Sequence, residues 1–247
     1  MYDGIQAESI KLAGHGGDQI EAYLARPLGP GPYPGVVVIH HMPGYDAPTK
    51  EITRTFAVHG YAAVCPNLYW REAPGADPDD AAATARAAGG VPDDRLLGDV
   101  AGAAAFLRGL TYANGKVGVI GYCSGGRQSF LAACSLDLDA AVDCYGAFVS
   151  GKVPEGLGIQ VRPILDLAPQ MSCPLLGLFG QEDKYPTPDE VDELEAALKD
   201  AGKTYEFHRY EGAGHAFFSV NRPSYRVEAA VDGWQRIWAH FGEYLKA

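Results

Sequence analysis

The sequence lacks any Cys-x-x-Cys pair, any long apolar run and any basic cluster, and each absence removes a class of function. Its five cysteines, Cys65, Cys123, Cys134, Cys144 and Cys173, are odd in number and widely spaced. That pattern argues against both a zinc site and a disulfide framework, and for reduced thiols in a reducing compartment. Four of the five are expected to be buried small hydrophobes. The longest apolar stretches, such as "PGVVVIHHMPG" and "CPLLGLFG", fall far short of the roughly 20 residues that span a bilayer. Twenty Lys and Arg against 31 Asp and Glu give a net charge of −11, which disfavours nucleic acid and anionic membranes as partners. The opening "MYDGIQAESIKLAG" has neither a basic nor an apolar signal region, so the expected location is cytoplasmic.

What is present suits a globular α/β protein. The 247 residues, 47% apolar and 21% charged, fit one domain over 1–247. "IQAESIKLAG" and "DQIEAYLARP" read as a hairpin around Gly14–Gly17. "GVVVIHH" is a continuous apolar strand of the kind buried on both faces of a parallel sheet. A helix over "APTKEITRTFAVHG", a strand "YAAVCP", a Pro/Asp/Ala-rich segment over 67–92 with room for a short helix, and a helix over "DDRLLGDVAGAAAFLRGL" follow. The alternation continues with strand "KVGVIGY", a helix from Ser124 to about Cys134, strands "AAVDCYGAF" and "PLLGLFG", helix "TPDEVDELEAALKDAG", strand "TYEFHRY" and a last helix from about Pro223 to Leu245. Such alternation implies βαβ units and a mostly parallel central sheet with helices on both faces.

The stretch "GYCSGG" fits G-x-Nuc-x-G, with Cys123 as nucleophile on a tight strand-to-helix turn. Gly121 and Gly125 leave room for the strained backbone, and the Ser124 amide, at the first turn of the helix, points at the oxygen of an attacked carbonyl. Two further residues stand just beyond later strands: Asp183 after "LLGLFGQED" and His215 after "EFHRYEGAGH". Nucleophile, acid and histidine thus come in α/β-hydrolase order at the strand edge where open α/β sheets bind ligands.

Through "VVVIHHMPG", "YAAVCPNLYWREAPG", "NGKVGVIGYCSGG", "FGQEDKYP" and "GAGHAFF" the chain resembles the dienelactone hydrolase family, cysteine-dependent enzymes with the α/β-hydrolase fold. The resemblance implies Cys123, Asp183 and His215 as the triad and the amides of Ser124 and Met42 as the oxyanion hole. It also marks two departures. His41 stands where well-studied members have a glutamate touching the resting thiol, so that an imidazole could hold Cys123 as thiolate. Ser219 stands where they have an arginine for the substrate carboxylate; Arg71, Arg86 and Arg222 are the candidate replacements. Tyr145 and Phe217 belong to the aromatics expected around the substrate.

Neither a metal nor a cofactor is expected. His40 and His41 are adjacent on a strand and so face opposite ways, and neither G-x-G-x-x-G nor G-K-[ST] accompanies the glycines. A thiolate is easily formed and easily expelled, so the chemistry favours a small enol, aryl or lactone ester whose oxygen leaves as readily as sulfur. The expected partner is that small molecule, with the protein a monomer or small homo-oligomer. Two alternatives share these residues: a non-catalytic ligand-binding protein of this fold, and an acyltransferase passing the acyl group to an alcohol or amine.

Overall fold

The computed structural model describes residue 2 and residues 4–246. It divides into two compact units, Met1–Val119 with Pro154–Val161, and Ile120–Val153 with Arg162–Ala247. The strands belong to an eight-stranded, mostly parallel sheet in the order β1-β2-β4-β3-β5-β6-β7-β8, where β1 is Ile5–Ala13, β2 Gln19–Pro27, β3 Tyr33–Ile39, β4 Ala62–Pro66, β5 Ala113–Tyr122, β6 Ala140–Cys144, β7 Leu175–Gly180 and β8 Tyr205–Tyr210.

In the first unit β1 and β2 form the expected antiparallel hairpin, with Ile5 opposite Pro27 and Ala13 opposite Gln19. β2 pairs antiparallel with β4, and β4 parallel with β3. Every residue of β3 and β4 is buried, which explains why these strands read as unbroken apolar runs and not as alternation. Helix α1 (Ala47–Val58) begins where the Asp46 carboxylate accepts the Thr49 N–H at 2.9 Å, a cap that contributes about 1 kcal/mol. The Asp- and Ala-rich segment yields one short helix, α2 (Pro78–Ala87), and α3 (Asp93–Arg108) buries Leu96, Val100 and Leu107.

The second unit holds helices α4 (Ser124–Ser135), α5 (Pro188–Asp200) and α6 (Val227–Leu245) with the parallel strands β6, β7 and β8. Cys144 lies opposite Leu178, and Gly180 opposite Tyr210, so the strand ends that lead to Asp183 and His215 stop level with one another. A capping box between Thr187 and Glu190 starts α5 shortly after Asp183. On α6 the spacing of Ala230, Ile237, Phe241 and Leu245 makes one buried face; each large apolar side chain so buried is worth about 1.5–3 kcal/mol.

Several element boundaries differ from those the sequence suggests: β3 ends at Ile39, before His40 and His41, β5 begins already at Ala113, and two more lie near the site. The strand expected over "AAVDCYGAF" stops at Cys144, because Tyr145 (φ 45°) and Phe148 (φ 66°) turn into the left-handed region and a side-chain oxygen of Asp143 closes the turn by accepting the Gly146 N–H. The last helix begins at Val227 and not near Pro223, since the preceding residues form turns in which the Tyr225 N–H bonds the Arg222 carbonyl and the Arg226 N–H the Phe217 carbonyl.

Candidate active site

Cys123 sits between β5 and α4 with φ 58° and ψ −121°, as the N-cap residue of α4. No L side chain takes that conformation cheaply. It is held from both sides: the Cys123 N–H donates to the Cys144 carbonyl at 3.1 Å, and the Cys123 carbonyl accepts from Gly126 N–H at 2.9 Å. A Cβ on Gly121 would lie 1.8 Å from the Gly125 carbonyl oxygen, so the turn closes only with glycine there. Gly121→Ala should therefore cost about 2 kcal/mol or more, seen as a lowered Tm, and should displace the thiol.

Of the five cysteines Cys123 is the one not buried. Burial pushes the Cys134 and Cys173 thiols up to about 12, and that of Cys144 well above its ordinary value. Those sulfurs stay protonated and inert at neutral pH.

His215 follows β8 on a tight loop in which Ala216 has φ 63°. Its Nδ1 lies 2.9 Å from Asp183 Oδ2, and Asp183 Oδ1 accepts the Tyr185 N–H at 2.9 Å. The Cys123 side chain is the second hydrogen-bonding partner of this imidazole. Burial alone would lower the imidazole pKa, but the hydrogen bonds and charges of Asp183 and Cys123 overcome it and push it up to about 10. A histidine so raised is a cation at neutral pH.

Tyr145 supports this imidazole. The rings meet edge to face at 5.2 Å, and the Tyr145 hydroxyl is held by the Phe218 backbone and the Ser219 side chain. Tyr145 and Phe217, both expected around the substrate, are buried, at 2% and 0% exposed. Phe217 packs behind Tyr145 and Tyr210. Ser219 braces Tyr145, a role that its position four residues after His215 did not disclose.

In the first unit Arg71 is engaged by protein groups. Its guanidinium donates to both Asp99 oxygens at 2.8 and 2.9 Å, to Asp18 at 2.8 Å and to the His15 carbonyl at 3.4 Å. Asp99 is fully buried, so Arg71 ties the β1–β2 turn to α3 and has no fork left for a substrate carboxylate. His41, in the loop after β3, bonds Asp46 through Nε2 at 2.8 Å. Burial would raise the Asp46 carboxyl, but the bonds from His41 and the Thr49 amide hold it down at about 2. His40 uses both ring nitrogens on backbone: Nδ1 donates to the His41 carbonyl and Nε2 accepts the Leu68 N–H. Burial lowers its pKa to about 4, so it is a neutral core histidine. Met42 follows in the same loop, joined to Pro43 by a cis peptide.

Comparison with known proteins decides the family. The family model for dienelactone hydrolases matches residues 20–245. This chain belongs to the dienelactone hydrolase family. A Pseudomonas putida carboxymethylenebutenolidase is 32% identical over 229 residues, covering 91% of each chain. A Methylorubrum extorquens protein described as a candidate carboxymethylenebutenolidase is 33% identical over 98% of this chain and 82% of its own. The crystal structure of a candidate dienelactone hydrolase from Klebsiella pneumoniae superposes with a TM-score of 0.86 at 32% identity, over 98% of this chain and all of that one. The fold is the α/β-hydrolase fold of the dienelactone hydrolases, and membership makes the chain a hydrolase of the carboxymethylenebutenolidase-like kind. No helix among the described residues is long and apolar enough to cross a membrane.

Proposed function

We propose that the chain hydrolyses a small ester or lactone through Cys123, His215 and Asp183 by way of a thioester. The observation that carries this reading is the hydrogen-bonded row from the Asp183 carboxylate through His215 to the Cys123 sulfur. Cys123 Sγ attacks the carbonyl carbon as thiolate, and the carbonyl π electrons move onto oxygen. The Ser124 amide, at the first turn of α4 where helix N–H groups have no intrahelical partner, faces that oxyanion; the Met42 amide is the second donor the family resemblance implies. Each such donor is worth about 3 kcal/mol.

Collapse breaks the bond to the leaving oxygen, which takes the proton carried by His215 Nε2. The imidazole, now neutral and held by Asp183, removes a proton from water. Hydroxide adds to the thioester, the C–S bond breaks, and the acid and the thiolate–imidazolium pair are regenerated. Sulfur competes with oxygen as leaving group in the first step, so enol, aryl and lactone esters are favoured over simple alkyl esters and amides.

The test is to trap the acyl group. Acid-quenching the protein during turnover of nitrophenyl acetate should leave one acetyl group on the peptide that contains Cys123, and none on that peptide in Cys123→Ala. Acetylation elsewhere, with Cys123 unlabelled and turnover intact, would overturn the reading.

A further inference from the structure

One buried acid beneath this site takes no part in the steps above. Asp143, on β6, is 0% exposed. Its Oδ1 accepts the Gly146 N–H at 2.7 Å, and its Oδ2 is buried without a partner. The chain makes room for this carboxyl by omitting side chains. A Cβ on Gly126 of α4 would lie 2.3 Å from Asp143 Oδ1, and one on Gly146 would lie 2.4 Å from the same oxygen and 2.5 Å from the Arg127 amide nitrogen. The carboxyl is therefore wedged between the first turn of α4 and the turn over 143–146.

The triad rests on that turn. The Cys144 carbonyl holds the Cys123 N–H, and the Tyr145 ring packs on His215. A turn that needed only an acceptor for Gly146 could use asparagine, without a second oxygen buried and unpaired. Among the described residues burial and the Gly146 bond set its titration, and no cation offsets the burial. Arg127 of α4 directs its guanidinium to the Arg162 carbonyl; Gly177, opposite on β7, has no side chain. The neighbouring groups are the thiol of Cys144 and the phenol of Tyr145, both held neutral by burial. Burial lifts the Asp143 carboxyl to about 7.

We propose that Asp143 is a positioning residue that makes the site respond to pH: as the neutral acid it fills the buried space under Cys123 and His215 without a charge, and on ionising it places an unsolvated negative charge there that opposes the thiolate at the start of α4. The proposal rests on Cys123 and His215 being the reacting pair, and its test reads the thiol directly. Iodoacetamide labelling of Cys123 is followed from about pH 6 to about pH 9 in the wild type and in Asp143→Asn, with thermal melts to confirm folding. The ratio of the labelling rate at high pH to that at low pH should be about threefold larger in Asp143→Asn, because a charge that opposes the thiolate by a fraction of a pK unit is gone. The same ratio in both proteins would overturn the proposal. Should Asp143→Asn not fold, the wild-type profile decides: a thiol titration broadened below the slope of a single proton supports it, and a simple one-proton curve overturns it. Labelling reports on Asp143 even if the acyl group proves to reside elsewhere, so the two readings fail separately.

Discussion

Turnover of an aryl ester by Cys123→Ala falls roughly 10⁵- to 10⁶-fold in kcat, because removing the nucleophile of such a unit costs about as much as removing all of it. The fold should survive, since Cys123 is partly exposed and its methylene remains. A second readout separates loss of the sulfur from loss of the site. Cys123 is one of the two partners that raise His215, so in Cys123→Ala the imidazole pKa should drop from about 10 toward its ordinary range, visible in an NMR titration. Cys123→Ser keeps a hydrogen-bonding atom but supplies a hydroxyl far weaker as an acid than a thiol, so it should retain a trace of activity, roughly 10³-fold or more below wild type. Hydrolysis by Cys123→Ala within tenfold of wild type would end the thiol mechanism.

The parts of this site that were legible in the sequence are those with local causes. The glycines around Cys123 are dictated by a turn six residues long, and Gly121 has no room for a Cβ because Gly125 is four residues away. Asp183 could be placed because it follows an apolar strand, and His215 because it follows an alternating one whose end is marked by Gly212 and Gly214. The parts that were not legible depend on contacts far along the chain. Arg71 finds Asp99 and Asp18, 28 and 53 residues distant, and nothing in "YWREAPG" announces either.

Tyr145 and Phe217 illustrate a different limit. Aromatic residues in strand-end loops suit a substrate pocket and the packing beneath one equally well, and only the positive φ at Tyr145 turns the ring onto His215. That conformation is also what ends β6 early. Asp143 is the extreme case: inside "AAVDCYG" a carboxylate reads as the polar side of a strand, whereas the fold buries it completely. Its sequence signal, had it been weighed, lies in two other places, at Gly126 and Gly146, which leave the space it fills.

Asp183→Asn should lower kcat/KM by roughly 10²- to 10⁴-fold while leaving KM within a few fold, by the logic of a histidine held in the wrong tautomer. Asp183 is 5% exposed and its Oδ1 is used by the Tyr185 N–H, so the asparagine oxygen would stay on that amide and its NH₂ would face His215 Nδ1. A donor there forces the ring proton onto Nε2 in the neutral imidazole, the nitrogen that must take a proton from water during thioester hydrolysis. Acylation should suffer less than deacylation, and acyl-enzyme should accumulate. The pH dependence carries an independent sign. Asp183 helps to raise His215 to about 10, so its loss moves the alkaline limit of activity downward. A histidine raised from 6.5 in the unfolded chain stabilises the fold fully below 6.5 and loses that contribution as pH rises through about 10. The Asp183→Asn protein should therefore be less stable than wild type at neutral pH, with a deficit that narrows above about pH 10. An unchanged alkaline limit, together with unchanged accumulation of acyl-enzyme, would show that Asp183 does not govern His215.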